Sequence, residues 1–334
     1  MNLDSLFGNQ ALKAFLKGFA SRDAFPNSFT ISGPEGSGKS LAAALFAMAI
    51  SCKGHDRPCG ICQSCRKISG GISPDVIVIE REGDKKTLGV DAVRKIKDEA
   101  YIIPNDLDKK IFIVKDAERL TNQAQNALLK VFEEGPENVY FILLTPSPSK
   151  LLPTVRSRAP EIKTEIFTEE KLAALLLENS KKAAELNKKD GSEFRRILSA
   201  SGGSYGKALD IVEGRNKRSV KAIKKAEELI SFISSSDKSS LLLGLIAESS
   251  DREGYVASLR LIQAAARDMV LIKRGGGADT CFFADKERAE ELSQKFSLKQ
   301  LIRLSDAAET LANEAEASNV NLRTAAIVAA GRFL

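Results

Sequence analysis

The sequence predicts an α/β domain with a parallel sheet, followed by a region that is helical throughout. Two observations favour this fold class. In the first half of the chain, short β-branched runs alternate with helical periodicity, which is typical of a parallel sheet covered by helices on both faces. After about residue 165 the strand pattern ends, and apolar residues recur mainly three or four positions apart.

The predicted sheet rests on short apolar runs separated by helical patterns. The four predicted strands cover residues 29–32, 76–80, 111–114 and 140–144. Between them, apolar residues spaced three or four apart predict three helices, over residues 41–50, 90–101 and 122–134.

The second half reads as helices with breaks between them. Thr168 precedes an apolar helical pattern and predicts a helix start, and a second short helix is expected over residues 192–200. Further breaks are predicted at residues 234–236 and 275–277. One later stripe at helical spacing indicates packing in a core, and its members are Leu301, Leu304, Ala308, Leu311 and Ala315.

Composition sets the broad class of protein. A chain of 334 residues with 43% hydrophobic and 28% charged residues is typical of a globular protein with two or three domains, not of a disordered or collagen-like chain. The net charge of +6 permits contact with nucleic acid without requiring it. No signal peptide is recognisable, and the longest apolar stretch is too short to cross a bilayer. We therefore expect a cytoplasmic protein with no membrane partner.

The segment GPEGSGKS matches the P-loop pattern G-x-x-x-x-G-K-[ST], and it stands between a predicted strand and a predicted helix, as this motif requires. Its glycines allow backbone amides to surround a phosphate, so Gly33, Gly36 and Gly38 are predicted to bind nucleotide. Lys39 is expected to reach the terminal phosphates, and Ser40 to ligate magnesium. ATP with Mg²⁺ is the ligand that this pattern indicates.

Four of the five cysteines fall in one short segment with the spacing C-x6-C-x2-C-x2-C: Cys52, Cys59, Cys62 and Cys65. Four thiolates complete a closed tetrahedral zinc site with no open position, which predicts a structural Zn²⁺. An iron–sulfur cluster is the weaker alternative. His55 lies within the same segment and is expected at the surface, while Cys281 stands apart.

The predicted strand over residues 111–114 ends unusually for a nucleotide hydrolase. Magnesium in such enzymes is held partly by an acidic residue at the end of a neighbouring strand. Here Lys115 follows the strand, and its positive charge would repel the metal. Shifting the register by one residue would place Asp116 at the metal, so that alternative remains open.

Several segments together resemble one family: GPEGSGKS, the four-cysteine insert, NALLKVFEEGPEN, YFILLT and KLLPTVRSRAP. In this order they are similar to the clamp-loader ATPases of bacterial DNA polymerase III, which belong to the AAA+ class. The resemblance covers roughly the first 210 residues, and the helical remainder is similar to the family's collar domain. It implies three parts: an AAA+ P-loop domain over 1–165 with a zinc insert at about 52–65, a helical lid over 166–212 and a helical collar over 213–334.

Site residues follow from the same resemblance. In the motor subunits of the family the strand ends in two acids and a lid arginine senses phosphate, whereas this chain has Lys115–Asp116 and Gly206 at the matching positions. The family's Ser-Arg-Cys segment corresponds to residues 157–159, which makes Arg158 the arginine supplied in trans to a neighbour's nucleotide site. Ala159 replaces the cysteine. Thr145 matches a polar residue near the terminal phosphate.

The resemblance implies a non-hydrolysing subunit of the delta-prime type, to which the closing segment NVNLRTAAIVAAGRFL is also similar. Its implied partners are gamma/tau-like motors, a delta-like subunit, the sliding clamp and primed DNA. It would not be catalytic by itself. The alternatives are an active motor that uses Asp116, a free-standing zinc-containing ATPase that binds nucleic acid through the basic stretch KRSVKAIKK and, more weakly, a small-molecule kinase.

Overall fold

A computed structural model describes residues 3–22, 24–81, 87–275, 282–283, 286–317 and 320–333. The chain divides into two compact units, Met1–Glu165 and Ile166–Leu334. Cys281 and two residues of the predicted glycine break, Gly276 and Gly277, lie outside the described residues. None of the helices in the described ranges is long and apolar enough to cross a membrane.

The first unit contains a five-stranded parallel sheet, which confirms the predicted fold class. Its strands are β1 (Ser28–Ser32), β2 (Val76–Ile79), β3 (Lys110–Val114), β4 (Val139–Thr145) and β5 (Glu161–Lys163). They are arranged in the order β2-β3-β4-β1-β5, and every neighbouring pair is parallel. The sequence did not indicate β5, because it has three residues and only Ile162 is buried.

The helices of this unit are α1 (Gln10–Arg22), α2 (Lys39–Ser51), α3 (Gln63–Ser69), α4 (Val90–Ala100), α5 (Asn122–Glu134) and α6 (Pro153–Arg158). The three predicted helices correspond to α2, α4 and α5. The sequence did not indicate α1, α3 and α6, and two of these, α3 and α6, have seven and six residues, too few to show a clear helical period.

Apolar clusters cover both faces of the sheet. Successive side chains of a strand point to opposite faces, so Ile111 and Ile113 of β3 join the cluster that includes buried residues of α1 and α2. Phe112 and Val114 join the opposite cluster, which includes buried residues of α4, α5 and α6. Burial on both faces explains why the central strands read as continuous apolar runs.

The second unit is helical in all of its described residues that form regular structure. Its helices are α7 (Glu169–Asn179), α8 (Lys181–Lys189), α9 (Gly191–Ser201), α10 (Tyr205–Val212), α11 (Lys217–Ser234), α12 (Lys238–Glu248), α13 (Arg252–Lys273), α14 (Lys286–Gln294), α15 (Leu298–Ala317) and α16 (Leu322–Phe333). Thr168 caps α7 by accepting a hydrogen bond from the backbone N–H of Lys171, as predicted. The five residues of the predicted stripe lie on α15 and are all buried.

One continuous apolar cluster extends through the second unit, from Phe167 to Phe333. A cluster of charges joins three of its helices, because Glu316 accepts from Lys207 at 3.0 Å and from Arg260 at 2.8 Å. Burial alone would raise the pKa of Glu316, but these two cations lower it below its usual value. Lys207 follows Gly206, so the helix that carries the predicted lid position is tied to α13 and α15. The division into lid and collar stays a prediction.

Candidate nucleotide and metal sites

The P-loop connects β1 to α2, and its backbone requires glycine. Gly33, Gly36 and Gly38 have φ values of 151°, 72° and 92°. A residue with a Cβ atom would have a strained backbone at such positive φ values. A Cβ atom at Gly33 would also lie 1.8 Å from Oγ1 of Thr164. The motif therefore adopts the loop that its pattern predicts, directly before the N-terminus of α2.

Lys39 begins α2, and its ammonium group turns back to the loop. Its Nζ atom donates to the carbonyl oxygens of Gly33 at 2.7 Å and Pro34 at 2.8 Å. Both acceptors belong to the segment that surrounds a phosphate in a P-loop. Binding of a phosphate would exchange these neutral carbonyl acceptors for a charged acceptor, which strengthens the bonds of the ammonium group.

A cavity of about 330 Å³ brings the P-loop and the end of β3 together. Its lining includes Gly36, Gly38, Lys39, Ser40, Lys115 and Asp116. Four of the predicted nucleotide-binding residues therefore line the same cavity as Lys115 and Asp116, whereas Gly33 and Thr145 are not among its lining residues. Gly33 shapes the loop, as described above.

Both charged residues at the end of β3 are already paired. Nζ of Lys115 donates to Oε2 of Glu80 at 2.8 Å, and Oδ2 of Asp116 accepts from Nε of Arg81 at 3.1 Å. Asp116 has a left-handed backbone, with φ of 51°. Glu80 and Arg81 directly follow β2, the strand beside β3. Sequence reasoning missed these two partners, because nothing in the local pattern marks residues 35 positions away as contacts.

Thr145 is the last residue of β4 and is fully buried. Its hydroxyl donates to Oε2 of Glu118 at 2.9 Å and accepts from the backbone N–H of Ser147 at 3.0 Å. Glu118 is itself largely buried, with 8% of its side chain exposed. The hydroxyl of Thr145 therefore orients a carboxylate beside the strand ends, a contact that the sequence did not indicate.

Arg158 is the last residue of α6. Its backbone is fixed, because its carbonyl oxygen accepts from Oγ of Ser28 at 2.9 Å and the following residue, Ala159, is buried. Its guanidinium group lies at the surface of the unit, 43% exposed, and forms an ion pair with Glu133 of α5. An anchored backbone with a surface-exposed charged group suits a side chain that reaches another molecule, although the donation itself stays a prediction.

The four clustered cysteines converge at the junction of α2 and α3. Cys52 follows α2, Cys62 precedes α3, Cys65 lies within α3 and Cys59 lies in the connecting loop. Their sulfur atoms all lie within 4.8 Å of one another. Tetrahedral zinc with Zn–S bonds near 2.3 Å separates its sulfurs by about 3.8 Å, so the donor set and its spread fit a metal ion. His55 is exposed and does not belong to this group.

Hydrogen bonds from the backbone favour the thiolate form of two cysteines in this cluster, Cys59 and Cys62. Backbone N–H groups lower the pKa of Cys59 to about 6. Partial burial would raise the pKa of Cys62, but N–H and thiol donors lower it overall. Burial raises the pKa of Cys52 and of Cys65. Since a metal binds thiolates, it would displace the protons from these two buried groups.

The basic stretch KRSVKAIKK forms the first half of α11. Lys217, Lys221 and Lys224 are exposed, whereas Ala222 and Ile223 are buried in the helical core. This arrangement is that of an ordinary amphipathic helix with a solvated charged face. It gives no specific support to a nucleic-acid site on this helix.

Sequence comparisons relate a large part of the chain to subunits of bacterial DNA polymerase III. A family model described as "DNA polymerase III, delta subunit" matches residues 8–168. The tau subunit of DNA polymerase III from Bacillus subtilis is 31% identical over 212 residues, which are 63% of this chain and 37% of that protein. These matches make residues 8–168 similar to subunits of bacterial DNA polymerase III. The match to the gamma subunit of Buchnera aphidicola (subsp. Schizaphis graminum) is similar: 32% identity over 60% of this chain and 54% of that protein.

The chain thus spans less than two thirds of the length of these clamp-loader relatives. Among solved structures, it is similar to a gamma subunit-related protein of DNA polymerase III from Thermotoga maritima. That similarity covers 96% of this chain and 98% of the other, with 18% identity and a TM-score of 0.44. The Holliday junction motor RuvB of the same organism matches 82% of this chain with 16% identity and a TM-score of 0.41.

Proposed function

We propose that this chain is a delta-prime-type subunit of the clamp loader, a stator that does not hydrolyse ATP and supplies Arg158 to a neighbouring motor. The observation that carries the proposal is the position of Lys115. Lys115 lines the P-loop cavity at the end of β3, where a motor subunit needs a carboxylate to hold magnesium. Its partners would be gamma/tau-like motors and a delta-like subunit, acting on the sliding clamp and primed DNA.

Arg158 is the residue through which the stator would act. An arginine supplied across an interface stabilises the negative charge that develops in phosphoryl transfer. Glu133 holds the guanidinium group in this chain, and both side chains are close to half exposed. Such an ion pair contributes little to stability, so the arginine can exchange Glu133 for a phosphate at low cost.

Two further parts of the proposal concern the architecture. Cys52, Cys59, Cys62 and Cys65 would hold a structural Zn²⁺, because four thiolates leave no open position for chemistry. Residues 166–212 would form the lid and residues 213–334 the collar through which subunits assemble. The charge cluster around Glu316 supports a lid that is held firmly to the collar helices.

An active motor is the second candidate. Asp116 lines the same cavity as Lys39 and Ser40, so a carboxylate is within the site after all. Relatives that match the chain are also named gamma, tau or gamma/tau subunits. The ion pair between Asp116 and Arg81 argues against this role, since magnesium would have to displace the arginine.

The deciding experiment is ATP turnover by the assembled loader with its clamp and primed DNA. Arg158→Ala in this chain should lower turnover, with the adjoining site losing roughly 10³-fold in rate. Arg156→Ala is the matched control, because Arg156 is exposed on the same helix. Size-exclusion chromatography would verify that each variant still assembles.

Lys39→Ala in this chain separates the two candidates. The stator predicts unchanged chemical turnover at the other sites of an intact assembly. If Lys39→Ala removes one site's share of the turnover while assembly is normal, the chain is a motor. If Arg158→Ala has the same turnover as Arg156→Ala, the proposal that Arg158 is supplied to a neighbouring site is wrong.

A further inference from the structure

The P-loop cavity combines an intact phosphate-binding half with an altered metal-binding half. The first half consists of the left-handed glycines, the N-terminus of α2 and Lys39, all with the geometry described above. These groups attract a polyphosphate through its own negative charge and do not require a metal.

The metal-binding half differs in its charges. Magnesium takes oxygen ligands, usually one or two carboxylates together with phosphate and water. Asp116 has a carboxylate in the cavity lining, but its Oδ2 atom already accepts from Arg81 at 3.1 Å. The neighbouring Lys115 adds a second cation to the same edge. The residues present therefore do not fit magnesium well.

We infer that this cavity binds a nucleoside di- or triphosphate as a magnesium-free anion, with the ammonium group of Lys115 in place of the metal. Lys115 lines the cavity together with Lys39, so two lysine residues contribute to one site. Its present bond to Glu80 joins side chains that are 40% and 58% exposed. Exposed pairs of this kind are weak, so a phosphate can take the place of Glu80.

The nucleotide would then be a structural ligand that stabilises the P-loop and its surroundings. This inference deepens the proposed stator role, because a site that takes nucleotide without magnesium lacks the metal needed for hydrolysis. The two proposals have separate tests. Arg158 is tested by turnover at a neighbour's site, whereas this inference is tested by equilibrium binding to the chain alone.

The first measurement is isothermal titration of the full chain with ATP and with ADP, once in excess EDTA and once in excess magnesium chloride. We expect binding in EDTA, with magnesium leaving the affinity unchanged or lowering it, because it competes for the phosphates. A gain of about tenfold or more in affinity on adding magnesium would overturn the inference. Failure to bind either nucleotide under both conditions would overturn it as well.

Substitutions assign the effect to residues. Lys115→Asp should weaken binding in EDTA by roughly tenfold or more and make the remaining affinity depend on magnesium. Lys97→Asp makes the same charge change on the exposed side of α4, away from the cavity lining, and should not alter binding. Lys39→Ala should abolish binding in both conditions.

Thermal unfolding of each variant without nucleotide distinguishes loss of binding from loss of fold. The role of Lys115 would be contradicted if the folded Lys115→Asp variant bound nucleotide in EDTA with the same affinity as the wild-type chain. A wild-type chain that binds only with magnesium would instead identify Asp116 as a metal ligand. That result would leave the Arg158 experiment unaffected, since it is read at another subunit's site.

Discussion

The cysteine cluster and the P-loop cavity lie at opposite ends of α2, and they differ in how completely each keeps its metal ligands. Four sulfur atoms converge within 4.8 Å in the first. In the second, the P-loop is formed, but Lys115 and the Arg81–Asp116 ion pair lie at the end of β3, where a motor subunit would hold magnesium. In the P-loop cavity the glycine loop and the end of β3 are different segments of the chain, so one can change while the other is kept.

The two sites are also assembled differently. All four cysteines come from one segment of 14 residues, 52–65, so a loop and two helix ends suffice to join them. The cavity combines the P-loop with residues after β3 and in β4, and the residues after β3 pair with residues that follow β2; these segments meet only when the parallel sheet forms. A single charge change at one strand end can therefore alter the metal side while leaving the P-loop in place.

The largest effect on stability is expected from removal of a clustered thiol that we propose to bind zinc. Cys65→Ser should reduce zinc from about one ion per chain to none and destabilise the first unit by more than about 4 kcal/mol, because loss of a structural metal is among the most severe perturbations. Elemental analysis and thermal unfolding would measure both. Chelation of the unchanged protein should produce a similar loss of stability.

His55→Ala provides the control for the cysteine variant. His55 is exposed and lies within the same loop, outside the cysteine group. The zinc content and melting temperature of the His55→Ala protein should therefore be unchanged. A Cys65→Ser protein that melts normally would contradict a structural role for the metal. Purified protein with reduced cysteines and no bound metal would contradict the zinc site itself.

The next largest effect is expected in the P-loop. Gly33→Ala combines a left-handed φ of 151° with a Cβ placed 1.8 Å from Oγ1 of Thr164, so we expect a loss of about 3 kcal/mol in the free energy of unfolding. Chemical denaturation would measure it. Gly18→Ala in α1, where a Cβ meets nothing within 4 Å, should instead stabilise by about 0.5 to 1 kcal/mol. Equal effects of the two substitutions would show that the loop is not held in this conformation.

Features that depend on neighbouring residues in the chain could be predicted from the sequence, whereas contacts between residues far apart in the chain could not. The parallel sheet, the P-loop and the cysteine group follow from local periodicity and spacing, and the structure has them. The pairs of Lys115 with Glu80 and of Thr145 with Glu118 could not be predicted, because their members are joined only by the tertiary fold. The short elements β5 and α6 were missed because three and six residues are too few to show a clear period, although α6 ends in Arg158.

The smallest effect on stability is expected at Lys115, the residue that distinguishes the P-loop cavity from a magnesium site. Lys115→Gln removes an ion pair with Glu80 whose side chains are 40% and 58% exposed, so solvent screening should limit the loss to less than about 1 kcal/mol. A double-mutant cycle with Glu80→Gln, measured by chemical denaturation, isolates the pair. A coupling above about 2 kcal/mol would contradict this expectation and make the pair a part of the sheet's stability. A small coupling together with weaker nucleotide binding in EDTA would instead assign Lys115 to the cavity, because the change then acts on the ligand and leaves the fold unaltered.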